Sequence, residues 1–305
     1  VDLPELVAGI RAGRPREMAR GISLIEDGSD RVPALLALLA GDGHARVVGI
    51  TGSPGVGKST TTSALIREYR MRGERVGVLA VDPSSPFTGG ALLGDRVRMQ
   101  EHATDPGVFI RSMGARGHLG GLASATVQAL HVLDCAGFDV VLIETVGVGQ
   151  SEVEVAATAD TTVVLLAPGM GDGIQAAKAG ILEVGDVICV NKADRDGAES
   201  TAREIRSMVA LGHRAEGAWE PRVVLSVAAE RDGIADLVVA IDAHDAWLAQ
   251  SGHSRARLRS REEILGWAMG MMRARIDAGR LDALAAEVAE GRVDSHTAAV
   301  RLLAD

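Results

Sequence analysis

The chain has 305 residues, 47% of them hydrophobic but only 2% aromatic, and a formal net charge of −9. That acidic balance argues against general nucleic-acid binding and against an anionic membrane surface as the main partner, and no apolar run approaches the roughly 18 residues of a membrane span. Two isolated cysteines, Cys135 and Cys189, and an N-terminus without a basic-then-apolar signal pattern point to a cytoplasmic protein with buried structural thiols.

In chain order, Leu3 to Leu39 supplies two or more helical segments, with Ile22, Leu24 and Ile25 and then Leu35, Leu36, Leu38 and Leu39 as their apolar faces. Strand-like runs come next at Val47 to Ile50, Val76 to Val81, Val108 to Ile110, Val140 to Ile143, Thr161 to Leu166, Val187 to Val190 and Val223 to Leu225. They alternate with helical patterns in the βαβ manner, and several are apolar at nearly every position, which suits strands covered on both faces. From Asp236 to Leu303 three or more helices are expected, broken near Gly252, Gly279 and Gly291. The fold class is therefore α/β with a mostly parallel sheet, organised as an N-terminal helical extension (1–44), a central domain (45–238) and a C-terminal helical region (239–305).

Directly after the first strand, Gly52-Ser53-Pro54-Gly55-Val56-Gly57-Lys58-Ser59 matches G-x-x-x-x-G-K-[ST]. This is a phosphate-binding loop: its glycines let backbone N–H groups turn around phosphate oxygens, Lys58 supplies a point charge to the β- and γ-phosphates, and the Ser59 hydroxyl is placed to ligate Mg²⁺. The stretch Thr60 to Arg70 suits a helix whose N-terminus adds to the anion site. A nucleoside triphosphate is the expected ligand.

Asn191-Lys192-Ala193-Asp194 closes a later strand and fits N-K-x-D, at the strand end where α/β sheets bind ligands. A fixed carboxylate at Asp194 accepts from both the ring N–H and the exocyclic amino group of guanine, a donor pair that adenine lacks. Lys192 packs its stem along the base plane, and Asn191 braces the loop. Ser226-Val227-Ala228 ends the next strand, where a backbone N–H can meet the guanine carbonyl oxygen. On the metal side, Asp82 and Glu144 each close a strand, and Mg²⁺, which keeps several waters, needs few such protein ligands.

Longer stretches go beyond a general GTPase pattern. Asp82-Pro83-Ser84-Ser85-Pro86, Gly94-Asp95-Arg96-Val97-Arg98-Met99, Arg111 to Gly121, Glu144-Thr145-Val146-Gly147-Val148-Gly149-Gln150-Ser151-Glu152 and Pro168 to Ile181 closely resemble the methylmalonyl-CoA mutase-associated GTPases, the MeaB/MMAA group, formerly labelled ArgK or LAO/AO transport ATPase. Ala19 to Glu26 extends the resemblance into the N-terminal helices. It implies a P-loop GTPase fold of the SIMIBI type with helical extensions. It also implies a homodimeric, Mg²⁺-dependent chaperone that couples GTP hydrolysis to GDP with adenosylcobalamin loading, protection and reactivation of methylmalonyl-CoA mutase, the cofactor arriving from a cobalamin adenosyltransferase. By position, Gly52 to Thr60, with Ser53, Pro54, Gly55, Val56 and Gly57 between them, hold the phosphates. Asn191, Lys192 and Asp194, with Ser226, Val227 and Ala228, hold the base. Ser59, Asp82 and Glu144 hold the metal. Asp95 and Arg98 match the first switch, and Asp172 and Lys178 a third, so Lys58, Asp82, Asp95, Glu144 and Lys178 form the implied catalytic set. Val227 stands where the family usually has alanine, and Gly173 where many members have a second acid.

No water-positioning glutamine comes directly after Glu144-Thr145-Val146-Gly147; Val148 takes that place and Gln150 lies near. Slow intrinsic turnover accelerated by a partner is expected, with Lys178, Arg98 or Arg116 as sources of positive charge. Two other activities fit the fold class, a GTP-dependent metallochaperone and a small-molecule or protein kinase. The first needs Cys/His clusters that two separated cysteines and eight scattered histidines do not supply, and the second would seldom select guanine. Asp42-Gly43-His44-Ala45-Arg46-Val47 approaches a cobalamin-binding D-x-H-x-x-G but reads as a linker.

Overall fold

The structure, a computed structural model, describes residues 2–41, 45–82, 100–114, 121–145, 158–169, 184–212, 215, 217–252 and 255–303. Among these, strands β1 (Arg46–Thr51), β2 (Val76–Asp82), β3 (Val108–Gly114), β4 (Val140–Thr145), β5 (Thr161–Leu166), β6 (Val187–Asn191) and β7 (Arg222–Ser226) form one sheet in the order β3-β2-β4-β1-β5-β6-β7. Every pairing is parallel. All seven strand-like runs of the sequence are strands, several one to four residues longer than their apolar cores. β4 and β5 are buried at every position, as expected of parallel strands with helices on both faces.

One face is covered by α1 (Leu3–Arg11), α2 (Pro15–Glu26), α3 (Val32–Leu39) and α5 (Gly121–Cys135), with Leu6, Ile10, Ile22 and Leu35 packed against Leu79, Val141 and Ile143. The other face carries α4 (Lys58–Met71) and α7 (Ile234–Ser251), through Leu65, Ile66, Tyr69, Leu237, Val238 and Ile241. Helix α7 runs unbroken past residue 238, so its first turns belong to the cover of the sheet. A smaller cluster seats α6 (Ala198–Leu211) on β5 and β6 through Ile205 and Val209.

The amino ends of the strands are knitted by charge. Arg46 donates to Asp242 and Glu74, 2.6 Å each, and lies over the Tyr69 ring, while Arg72 reaches the second Asp242 oxygen at 2.8 Å. The carboxyl ends are left to the loops.

The C-terminal breaks fall close to where the glycines suggest them, with one shift. Gly252 caps α7 at φ 67° and Gly291 lies beyond α9 (Ala278–Ala289) at φ 72°. Gly279, however, lies in the first turn of α9; the break is made by Asp277, whose carboxylate accepts from the Arg280 N–H at 2.7 Å. An N-cap carboxylate outweighs a nearby glycine because it satisfies an orphan donor and meets the helix dipole. Asp294 does the same for α10 (Ser295–Leu303). Helix α8 (Arg255–Arg275) docks on α5 through Glu263 and His131, 3.1 Å apart, and through Trp267. No helix among the described residues is long and apolar enough to cross a membrane.

The N-terminal helices reach the functional end of the sheet at one point. Glu26, at the end of α2 and 3% exposed, accepts from the Arg111 guanidinium of β3 and from the Gly114 N–H at 3.4 Å; Arg111 also donates to Ser23 at 3.0 Å. Gly114 pairs in register with Asp82 at the end of β2. Removing one partner of a buried ion pair leaves a charge without compensation. Glu26→Ala is therefore expected to cost roughly 3 kcal/mol of stability, measured by chemical denaturation, whereas Glu5→Ala on exposed α1 surface should change it by less than about 0.5 kcal/mol.

Candidate guanine-nucleotide site

β1 delivers residues 52–57 to the carboxyl edge of the sheet, between β4 and β5. The turn depends on glycine where the chain is most crowded. At Gly52, φ is 142° and a side chain would land on the Leu165 carbonyl; at Gly57, φ is 101° and a side chain would land on the Asn191 amide. Gly57 caps α4 in a left-handed conformation, and Thr61 and Thr62 hydroxyls donate back to the carbonyls of Gly57 and Lys58, 3.0 Å each. Lys58, 7% exposed, curls its ammonium onto the loop, 2.7 Å from Gly52 O and 3.2 Å from Ser53 O. Those bonds hold the charge over the rim of the loop, beside the backbone N–H groups at the start of α4.

Asn191 and Lys192, from a strand two places away, close on the same loop. The Asn191 amide donates to Val56 O at 2.8 Å, and its oxygen accepts from Ala228 N at 3.0 Å and from the Ser226 hydroxyl at 3.2 Å. Lys192, held at φ 58°, donates to Gly55 O at 2.6 Å. The N-K-x-D segment thus ties the 52–59 loop to the loop after β7. Asp194 is exposed at the next turn, with Ala193 N bonded to Ser226 O at 3.0 Å. The Val227 N–H donates to Asp232 O at 3.0 Å. Behind this wall the Cys189 thiol lies 3.1 Å from the Ser226 hydroxyl, and burial pushes it up to about 11.

On the far side of the loop the buried Ser59 hydroxyl donates to the buried Glu144 carboxylate at 2.7 Å. A hydroxyl and a carboxylate oxygen in contact at a helix start form the hard oxygen donor set that suits Mg²⁺. Asp82 closes β2, with its backbone paired to Gly114. Asp95, Lys178, Arg98, Arg116, Gln150, Asp172 and Gly173 lie outside the described residues, as does the Asp42-Gly43-His44 segment.

A cavity of about 400 Å³ opens beside Ser59 and Thr60 and runs to Ala228, Ala229 and Arg231, with Ser63, Ala64, Arg67 and Glu101 along its side. Glu101, Arg67 and Arg231 belong to no motif. The sequence holds no signal for Glu101 because its partners on α4, Ser63 and Arg67, lie 38 and 34 residues earlier in the chain.

The chain is similar to known GTPases along most of its length. Residues 18–279 match the family model of the methylmalonyl-CoA mutase-associated GTPase MeaB. Of individual relatives, a protein of Pyrococcus abyssi named as a GTPase is 44% identical over 310 residues, covering 99% of this chain and 96% of its own. GTPase ArgK of Escherichia coli is 39% identical, covering 82% and 78%, and the mitochondrial methylmalonic aciduria type A homolog of Caenorhabditis elegans is 34% identical, covering 87% and 67%. A solved structure described as an LAO/AO transport system kinase superposes with a TM-score of 0.70 at 26% identity, covering 98% of this chain and 96% of its own. A phosphate loop clamped by an N-K-x-D segment, with a family match spanning most of the chain, assigns it: the chain belongs to the methylmalonyl-CoA mutase-associated GTPase (MeaB) family and is a GTPase of the MeaB/ArgK type.

Proposed function

We propose that this GTPase serves as a Mg²⁺-dependent, homodimeric chaperone of an adenosylcobalamin-dependent acyl-CoA mutase, methylmalonyl-CoA mutase first among the candidates, with cofactor arriving from a cobalamin adenosyltransferase. The observation that carries the nucleotide part is the Asn191–Val56 and Lys192–Gly55 clamp. It makes the phosphate and base sides one rigid unit, so a ligand bridging both is felt by both. The partner is supported by the association that names the matched family and by the resemblance of the loops at Glu144 to Glu152 and Pro168 to Ile181.

In this reading residues 52–60 bind the phosphates, and Lys58 moves its ammonium from the loop carbonyls toward the β- and γ-phosphates. Ser59, Asp82 and Glu144 would hold Mg²⁺, which when bound neutralises charge developing on the phosphates. Asp95 and Lys178 answer to the γ-phosphate from the first and third switches, so hydrolysis acts as a timer on the mutase contact. Asp194 selects guanine, with Asn191 keeping the base wall in place.

The dimer is supported by the outward face of α8, where Leu265, Met269 and Met272, at i, i+4 and i+7, are exposed on a helix whose other face is docked through Glu263 and Trp267. Apolar side chains gathered on one helix face mark an interface, and methionine adapts to a partner's relief. Met269→Glu with Met272→Glu is expected to shift the protein from dimer to monomer in sedimentation; an unchanged dimer counts against this face.

Intrinsic turnover is expected on the order of 10⁻⁴ to 10⁻³ s⁻¹ without an added arginine, and to rise at least about tenfold with a cobalamin-dependent acyl-CoA mutase present. Steady-state phosphate release with and without the mutase checks this, and a fast enzyme indifferent to the mutase would overturn it. Asp194→Asn replaces an acceptor by a donor and so matches xanthine, which has a carbonyl where guanine has an amino group. The preference for GTP over XTP is expected to fall by on the order of 10⁴-fold, read by competition binding.

A further inference from the structure

The cavity beside α4 is lined by residues from both parts of the proposed nucleotide site and by Arg67, Glu101 and Arg231, which no motif accounts for. Ser59 and Thr60 mark the phosphate end, in the first turn of α4. Ala228 and Ala229, directly after Ser226 and Val227, mark the base end. In any guanosine phosphate the sugar is the sole covalent link between those two parts. A nucleotide with its phosphates at the first pair and its base at the second therefore carries its ribose through this cavity, within reach of the side chains that line it.

Among the described residues that line this cavity, Glu101 is the one carboxylate. It belongs to the single turn Gln100–His102, and α4 holds it: one carboxylate oxygen accepts from the Ser63 hydroxyl, the other from the Arg67 guanidinium. The neighbouring His102, 6% exposed, places Nε2 2.8 Å from the same Ser63 hydroxyl and anchors the turn from beneath. With Ser63 donating to Glu101, the His102 contact must be donated by the ring N–H, so all three groups are satisfied in one tautomer. Burial lowers the His102 pKa, while the Ser63 hydrogen bond, ahead of the Arg67 contact, lowers that of Glu101. Both shifts favour an anionic acceptor beside a neutral ring at neutral pH.

An ionised carboxylate has about four acceptor positions, and Ser63 and Arg67 use two. The side chain is 43% exposed, so the remaining positions are open to the cavity. A ribose offers two adjacent hydroxyl donors, and acidic residues read the same group in dinucleotide sites. We infer that Glu101, fixed by Ser63 and Arg67, is a specificity-determining residue that accepts hydrogen bonds from the ribose hydroxyls of the guanine nucleotide and selects ribonucleotides over deoxyribonucleotides. The inference rests on the nucleotide orientation proposed above, phosphates at Ser59 and base at Ala228.

The role differs from bracing α4 in what it moves. A brace affects every nucleotide alike, whereas a ribose acceptor affects only those that carry the hydroxyls. The test is calorimetric titration of the full chain with GDP, 2′-deoxyGDP and 3′-deoxyGDP, for the unaltered protein, Glu101→Ala and Glu101→Gln. Hydrogen bonds to a charged group put the expected GDP preference of the unaltered protein at about tenfold or more over at least one deoxy form. Glu101→Ala should bring that ratio to within about twofold by lowering GDP affinity more than that of the deoxy forms, each of which keeps only one hydroxyl, and Glu101→Gln, which keeps one acceptor oxygen, should fall between. Equal affinity of the unaltered protein for GDP and both deoxy forms would overturn the inference, as would a Glu101→Ala loss shared equally by all three ligands. Failure to bind GDP at all would instead sink the nucleotide-site reading itself, so the two failures are separable.

Discussion

One side-chain amide carries the architecture of the nucleotide end. Asn191 donates to the phosphate loop and accepts from the loop after β7, and these two loops have no backbone ladder in common, since β5 and β6 separate β1 from β7 in the sheet. A buried amide with its donor and acceptor both engaged is costly to disturb, because any shift leaves desolvated groups without partners. Gly57 is glycine for the same reason: a Cβ there would occupy the place of the Asn191 amide. Motifs more than 130 residues apart in sequence are thus halves of one steric arrangement.

The rest of the fold serves that arrangement by treating the two ends of the sheet differently. At the amino ends, Arg46, Glu74, Arg72 and Asp242 lock β1, α4 and α7 together. At the carboxyl ends every strand but β5 finishes in a glycine, a hydroxyl, an amide or a carboxylate. The N-terminal helices bridge the two regimes, since they cover a face of the sheet and also place Glu26 at the exit of β3. They therefore belong to the structural surroundings of the site rather than standing apart as an appendage.

The strands, the phosphate loop and the N-K-x-D segment are legible because each is a local pattern with a local cause. Runs such as Val140 to Ile143 can hardly be anything but doubly covered strands, and G-x-x-x-x-G-K-S has few other uses. Less legible are features whose cause lies elsewhere in the chain. Glycine content suggests a helix break at Gly279, but the Asp277 cap decides it. Nor does the sequence around Val227 announce the turn through Arg231 and Gly233 that brings Asp232 O to the Val227 N–H. Glu101 carries no signal at all, because its meaning comes from Ser63 and Arg67 on a helix that the sequence leaves more than 30 residues behind.

The bond from Ser59 to Glu144 bears on how the proposed metal site would take up a cation. The hydroxyl proton and a divalent cation are competitors for the same pair of oxygens, so a cation that recruits Ser59 must take the place of a 2.7 Å hydrogen bond. Glu144 then passes from one electrophile to another, next to the last residue of β4 and just ahead of the segment that begins at Val146. At the proposed metal site, cation entry would therefore be an exchange at a buried hydrogen bond rather than the filling of an open position.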